Sequence, residues 1–417
     1  MTLLVDGLVL ALREKHSDFG YPVHNNMAPL NLLARSRDVS LQVAAKLRSE
    51  NRSKQVGALF QLYNLEKLSL ASNHVKLLPG TVARFTVLKE LNMSHNELED
   101  MPPDIGDLVR LRRIDLSHNG LYGVPMEMGK LVKVKYLDVS HNKLLSLPDE
   151  LGNMTSLTDL NFEHNDLKFL PVTLEALETC LTKLNADANR IMDPPAEILH
   201  QGRDAVFTYF RRVRNGQKCR DLVLIDMKLE VLELNWSNLT VLTALELSGN
   251  RIKSLPVTFR CLTNLVVLKA AGNSLERMFD AGDLSPLSNI TRLALKENHI
   301  TEVEDNIGDL VKLKDLDLSC NRLVKIAPQI EKCTNIKRLV LSQNQLHHIP
   351  KNVFRILVLE IFDACNNALR SLPPAICYCK SLTELSLAHN QIETLPSDLG
   401  NLVALSRLNM GTNMLRI

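Results

Sequence analysis

Aromatic side chains make up only 4% of this chain, with one Trp, six Tyr and eleven Phe, which leaves few platforms for stacking single-stranded bases. Neither sign of charge dominates. Lys plus Arg number 49 against 47 Asp plus Glu, a formal balance of +2 with no block of like charge along the chain. That argues against nucleic acid or an anionic membrane as a partner. No apolar run approaches the roughly 18 residues that a membrane span needs. The opening Met1–Leu12 is apolar, yet Asp6 interrupts it and no basic segment precedes it, so it reads as an amphipathic start rather than a signal. Cysteine is sparse and late: there are eight, and none lies before Cys180. A dense disulfide framework is thereby excluded for the first half.

Catalytic signatures are missing as well. The chain holds no H-E-x-x-H, no G-x-S-x-G and no G-x-G-x-x-G, and Gly123–Lys130 misses the phosphate-loop pattern in spacing and in its last residue. Acidic pairs such as Asp315 and Asp317 stand two apart on a strand, where carboxylates without a cleft make no acid–base site. Neither an enzyme nor a cofactor is expected.

What the chain does have is a metronome. The spacing L-x-x-L-x-L-x-x-N-x-L, seen in Leu111–Leu121, recurs almost to the last residue, with asparagine at its ninth position. Asn73, Asn96, Asn119, Asn142 and Asn165 are 23 residues apart, and Asn189 follows after 24. A second series, Asn250, Asn273, Asn298, Asn321, Asn344, Asn367, Asn390 and Asn413, keeps steps of 23 except for 25 into Asn298. Met227, 23 before Asn250, keeps the apolar frame and loses only the asparagine. We count six turns, a break and nine more. Leu111, Ile114 and Leu116 can share one core only if a short strand carries the last two inward before a sharp turn. A buried asparagine in that turn has two donors and an acceptor for the main chain of its own and the neighbouring turn. The second half of each unit opens with Leu-Pro, as at Leu147-Pro148, and loses the period-2 pattern, so it forms a loop or helical arc on the outside.

These residues resemble leucine-rich repeats of the 23-residue intracellular type, marked by Leu-Pro and by Ile-Gly-x-Leu as at Ile105–Leu108, with Leu399–Leu402 alike. The resemblance covers Leu65 to Leu415. It implies an α/β solenoid, a leucine-rich-repeat horseshoe of about 15 repeats with a parallel inner sheet and one helical insertion. Secreted relatives usually close their ends with disulfide-rich caps, so the late cysteines point to a reducing, cytoplasmic compartment. Cys377-Tyr378-Cys379 is the one close pair that suggests a metal, but Cys333 and Cys379 each lie 12 residues after a ladder asparagine, where other units place leucine. They are expected to be small buried apolar residues.

In chain order we expect an N-terminal extension and helical cap over 1–64, a first array over 65–194, a helical insertion over 195–218 and a second array over 219–417. Leu33, Val39, Val43 and Leu47 have helical spacing and suit either an end cap or a short partner-binding helix. In the insertion, Val206, Phe210 and Val213 also recur at helical spacing and Gly202 breaks two segments, which predicts a helix pair on the outer side. Its Pro194-Pro195, Gln201-Gly202 and Tyr209-Phe210-Arg211 resemble the closing helix of Ras-group leucine-rich repeat proteins. Two arrays joined this way resemble the leucine-rich repeat-containing protein forty type. Arg211, Arg212, Arg214, Lys218 and Arg220 are read as the solvated end of that helix, with an acidic partner as the alternative. The strand turn at Leu415 lacks a following arc, so either another molecule covers it or the protein continues.

Two columns are candidate sites. His95, His118, His141 and His164 recur every 23 residues, close enough in principle for a metal to touch two; the preferred reading has each imidazole satisfied locally, and no metal site is expected. The variable strand positions Lys89, Arg112, Arg113, Asp115, Lys135, Tyr136 and Asp138 are the candidate protein-binding residues, since Arg and Tyr dominate protein interfaces. The expected function is a non-enzymatic adaptor that grips a protein partner on its concave face, in small-GTPase or phosphatase signalling by analogy. The alternative is a structural subunit of a cytoskeletal or ciliary assembly, joined through the open C-terminal turn.

Overall fold

The computed structural model describes residues 41–42, 64–232, 236–280 and 282–416. The chain divides into two compact units, Met1–Met192 and Asp193–Ile417. Each is a solenoid of short parallel strands with few helices.

The first unit carries strands β1 (Leu41–Gln42), β2 (Lys67–Ser69), β3 (Glu90–Asn92), β4 (Arg113–Asp115), β5 (Tyr136–Asp138), β6 (Asp159–Asn161) and β7 (Lys183–Asn185) in one sheet, in sequence order. Register follows the repeat: Lys67 faces Glu90, Glu90 faces Arg113 and Arg113 faces Tyr136. The central residues Leu68, Leu91, Ile114 and Leu137 are buried. Their strand neighbours therefore point to the opposite face, because side chains alternate along a strand. Leu41 and Gln42 pair with Leu68 and Ser69, so at these two positions the expected cap helix gives way to a strand. An extended pair can satisfy the open main-chain edge of β2, which a helix cannot. The rest of the expected cap, 1–40 and 43–63, lies outside the described residues.

The asparagines do what their amides suit them for. Asn119 donates from Nδ2 to Leu116 O at 3.0 Å and Ser117 O at 3.1 Å in its own turn, and to Met93 O in the turn before at 2.9 Å. Its Oδ1 accepts the Leu98 N–H at 3.0 Å. Asn142, Asn273 and Asn321 repeat the pattern. The residue before each ladder asparagine is left-handed, as at His118 (φ 54°) and Glu297 (φ 58°), and this swings the amide into the turn.

Most of the described outer halves are 3-10 turns entered from proline, with Leu284, Glu304 and Ala327 at that place in three others. Pro102 precedes Pro103–Asp107, Pro125 precedes Met126–Lys130 and Pro148 precedes Asp149–Asn153. Glycine is required where neighbouring arcs touch: a Cβ on Gly129 would lie 2.4 Å from Glu150 O, whereas one on Gly400 would meet nothing within 4 Å. Cys333 and Cys379 are fully buried. Each thiol donates to the carbonyl of an adjacent turn, Cys333 to Ile307 O at 3.0 Å and Cys379 to Phe354 O at 3.4 Å. Burial pushes the Cys333 thiol up to about 12 and the Cys379 thiol to about 11.

The second unit begins with helices α1 (Ala196–His200) and α2 (Arg203–Cys219). Its main sheet runs in sequence order through β8 (Asp221–Val223), β9 (Ala244–Glu246), β10 (Val267–Lys269), β11 (Arg292–Ala294), β13 (Asp315–Asp317), β15 (Arg338–Val340), β16 (Ile361–Asp363), β17 (Glu384–Ser386) and β18 (Arg407–Asn409). A two-stranded sheet pairs β12 (Glu302–Val303) with β14 (Lys325–Ile326). Helix α2 buries Val206, Phe207, Tyr209, Phe210 and Val213. The spacing predicts the outer side for it, but it packs against β8. There a Cβ on Gly216 would come within 3.0 Å of the Leu222 side chain. Its neighbours also supply what a preceding repeat would. Gln201 Nε2 donates to Met227 O at 3.3 Å, Arg212 Nη1 to Ile225 O at 3.0 Å, and Glu197 Oε1 accepts the Glu230 N–H at 3.2 Å. Met227 can stand where other turns need asparagine because no repeat turn precedes it within this unit, and Asn250 Oδ1 accepts both Met227 N–H and Leu229 N–H at 3.0 Å.

Replacing Asn273 by leucine strips buried main-chain groups of their partners, so we expect a loss of about 3 kcal/mol or more, read from the urea unfolding midpoint. Gly129→Ala should cost about 1–3 kcal/mol by overpacking while Gly400→Ala stays within about 0.5 kcal/mol; equal effects from the two would refute the account of why the first must be glycine.

Candidate functional site

The core-averted face of the first sheet is built from the strand residues that flank the buried central positions. On β4 and β5 these are Arg113, Asp115, Tyr136 and Asp138, and register sets Arg113 beside Tyr136 and Asp115 beside Asp138. The structure brings these four together. The Arg113 guanidinium lies 3.6 Å from the centre of the Tyr136 ring, a cation–π contact that restrains both side chains. Tyr136 Oη donates to Asp138 Oδ2 at 2.9 Å, and Asn161 Nδ2 reaches the same oxygen at 3.3 Å. Burial, then the Asp138 hydrogen bond and charge, push the Tyr136 phenol up to about 12.

The two aspartates have a second task that their spacing to serine could have signalled. Asp115 Oδ1 accepts the Ser117 hydroxyl at 2.8 Å and Asp138 Oδ1 accepts the Ser140 hydroxyl at 2.6 Å, each also taking the serine N–H. Asn92 with Ser94 and Asp317 with Ser319 repeat the motif. These carboxylates shape the strand exit as much as they present charge, and Asp138 is buried.

The other three expected residues are arranged differently. Lys89 is committed to Glu66 at 2.8 Å. Arg112 and Lys135 are exposed and hold no ion pair among the described residues. Sequence reasoning passed over Arg110, Lys130 and Lys133, which are exposed a few residues earlier in the same repeats; a reading of the columns just before each strand would have found Arg110 and Lys133.

The histidine column is a stack rather than a set of locally satisfied rings. His95, His118, His141 and His164 lie face to face, with centroids 4.1, 4.1 and 4.2 Å apart and planes within 14° of parallel. Nitrogen lone pairs lie in the ring planes, so stacked rings aim them side by side instead of at one point. Among the described residues no group of three or more His, Cys, Asp or Glu has metal-holding geometry. Burial, then the charges of His141 and His95, hold the His118 imidazole below its ordinary range. The basic cluster of α2 is partly spent on structure, since Arg212 satisfies the Ile225 carbonyl and Arg220 ends the helix in a left-handed conformation.

Comparison with known proteins adds the following. The family profile described as leucine rich repeat matches residues 63–121, 109–167, 311–363 and 358–415. Among solved structures, a leucine-rich-repeat protein of Leptospira interrogans is 26% identical over 95% of both chains, with a TM-score of 0.40. The internalin inlF of Listeria monocytogenes is 17% identical, covering 88% of this chain and 90% of that one, with a TM-score of 0.38. The plant peptide hormone receptor RGFR1, solved in complex with RGF2, is 24% identical over 85% of this chain and 53% of its own, with a TM-score of 0.38. No curated protein matches the chain.

Two titrations follow. A phenol held neutral in the fold contributes stability that is intact below the ordinary tyrosine range and lost as pH rises through about 12. The tyrosinate absorbance missing from Tyr136→Phe should therefore appear near that pH, and earlier in Asp138→Asn. An imidazole held neutral contributes stability present above the ordinary histidine range and lost as pH falls below it. Mild acid should thus lower the melting temperature of the wild type more than that of His118→Asn, and equal slopes would sink the stacked-column account.

Proposed function

The chain belongs to the leucine-rich-repeat family, whose fold typically serves as a non-enzymatic scaffold for protein–protein interaction, and from that premise we propose that it is an adaptor gripping a protein partner on the core-averted face of its first sheet, around Arg113 and Tyr136. The observation that carries the reading is the Arg113–Tyr136–Asp138 chain. It fixes an arginine and a tyrosine, the side chains most often dominant in interfaces, on a rigid strand surface. Neither is needed for the core: the apolar packing beneath is complete in Ile114, Leu116, Leu137 and Val139, all buried. Two rigid side chains lose little conformational freedom on binding, which favours affinity.

We place this activity in the cytoplasm, in intracellular signalling. All eight cysteines are free, and burial raises the thiols of Cys333, Cys365 and Cys379 into the range of about 11 to 12, away from the thiolate form that would oxidise. Among the described residues no helix is long and apolar enough to cross a membrane.

Affinity capture from cytosol, compared between wild type and Arg113→Glu with Tyr136→Ala, tests the reading. We expect a discrete set of proteins to vanish from the variant while its melting temperature stays within a few degrees. An unchanged set would place the binding surface elsewhere.

A further inference from the structure

On most of the two sheets, cations are neutralised across repeats. Lys67 pairs with Glu90 at 2.8 Å and Lys89 with Glu66 at 2.8 Å. In the second unit Lys269 pairs with Glu246, Arg292 and Arg338 with Asp315, Lys337 with Glu360 and Arg407 with Glu384, all within 3.3 Å. Each partner lies one repeat away. This is the arrangement expected when parallel strands about 4.8 Å apart set equivalent positions side by side.

Lys314 of the second unit also holds no ion pair among the described residues, and in the first unit two adjacent repeats break the rule together. Arg110, Arg112 and Arg113 in one, and Lys130, Lys133 and Lys135 in the next, are exposed and hold no ion pair among the described residues. Register makes the isolation worse. Arg112 N donates to Lys89 O and Lys135 N to Arg112 O, so Lys89, Arg112 and Lys135 form one column of like charge, and Lys89 already holds Glu66. Between Val109 and Tyr136 the only acids are Asp115 and Glu127, and Asp115 is engaged by Ser117. Like charges placed side by side on a sheet repel, and an array with acids at equivalent positions elsewhere has no packing reason to keep them here. Val109 and Val132, 50% and 44% exposed, sit in the same place in each repeat, so both read valine, cation, core residue, cation, then Arg113 or Tyr136.

We propose that this field of cations and valines is the docking site for an acidic segment of a protein partner, with apolar residues between its carboxylates. The proposal rests on the scaffold reading above and gives its partner a chemistry. Arg112, Arg113 and Lys135 meet carboxylates, and Val109 and Val132 meet the apolar side chains between them. A nucleic acid is the poorer fit. Among the described residues of these strands the aromatic ring is Tyr136, already covered by Arg113, and the neighbouring histidine rings are stacked on one another, which leaves a base little to stack on.

The test uses the full chain and a fluorescein-labelled peptide, Glu-Glu-Leu repeated four times, in anisotropy titrations at low and at physiological salt. One variant is Arg112→Glu, Arg113→Glu, Lys135→Glu. Its control, Arg322→Glu, Lys351→Glu, Arg370→Glu, changes the charge equally at exposed cations of the second unit. Circular dichroism and melting confirm that both fold. We expect binding that weakens as salt rises, is lost by about tenfold or more in the first variant and stays within about threefold in the control. Equal losses in the two variants, or no binding by the wild type, overturn the acidic-segment assignment. Labelled single-stranded RNA or phosphatidylserine vesicles that bind more tightly than the peptide and depend on the same residues overturn it too. If the peptide fails while Tyr136→Ala alone still abolishes partner capture, the scaffold reading stands and only the chemistry assigned to the partner falls.

Discussion

The asparagine amide is the interaction on which the rest of the structure depends. A chain that turns back every 23 residues leaves main-chain carbonyls and N–H groups pointing into its own interior, where water cannot reach them and each orphan costs about 1–3 kcal/mol. One side chain of the right length answers several at once, and it does so across the gap between turns. Asn119, for example, ties its own turn to Met93 and Leu98 of the one before. Successive repeats are thus bonded to each other by the same atoms that hold each repeat closed. The left-handed residue ahead of each asparagine costs little against this, and where that residue is histidine the rings stack on one another as a by-product of the common geometry.

Ends and faces follow from the same requirement. Within the second unit no repeat turn precedes β8, and α1 and α2 supply the missing partners through Glu197, Gln201 and Arg212. The helix pair therefore belongs to the start of that array, and Met227 needs no amide. On the sheet faces, the core is satisfied by the central residue of each strand, which leaves the flanking positions to charge. Most of these positions balance between neighbours. The basic run from Arg110 to Lys135 does not, so a chain whose overall charge is near zero carries a local excess of cations on its first unit.

Much of this was legible in the residues alone. Leucine spacing and the asparagine series gave the strands, their direction and the buried set, and Leu-Pro marked the outer arcs. Cys333 and Cys379 read correctly as core residues because they fall where leucine falls elsewhere. Less was legible where a side chain has more than one partner within reach. Asp115 and Asp138 stood out as interface candidates, and their bonds to Ser117 and Ser140 show them shaping the strand exits as well. Lys89 looked available until Glu66 was placed beside it. Helix α2 has an unmistakable apolar stripe, but a stripe does not say what it packs on.

Sequence by itself determined the repeat, because a period is a property of order along the chain and a 23-residue rhythm of leucine and asparagine has one inexpensive way to bury its apolar half and bond its main chain. Tertiary structure alone decided which charges meet. Arg112 and Lys135 are 23 residues apart in the chain and neighbours in the sheet, so a run with no visible block of like charge becomes a basic surface once parallel pairing converts sequence distance into adjacency.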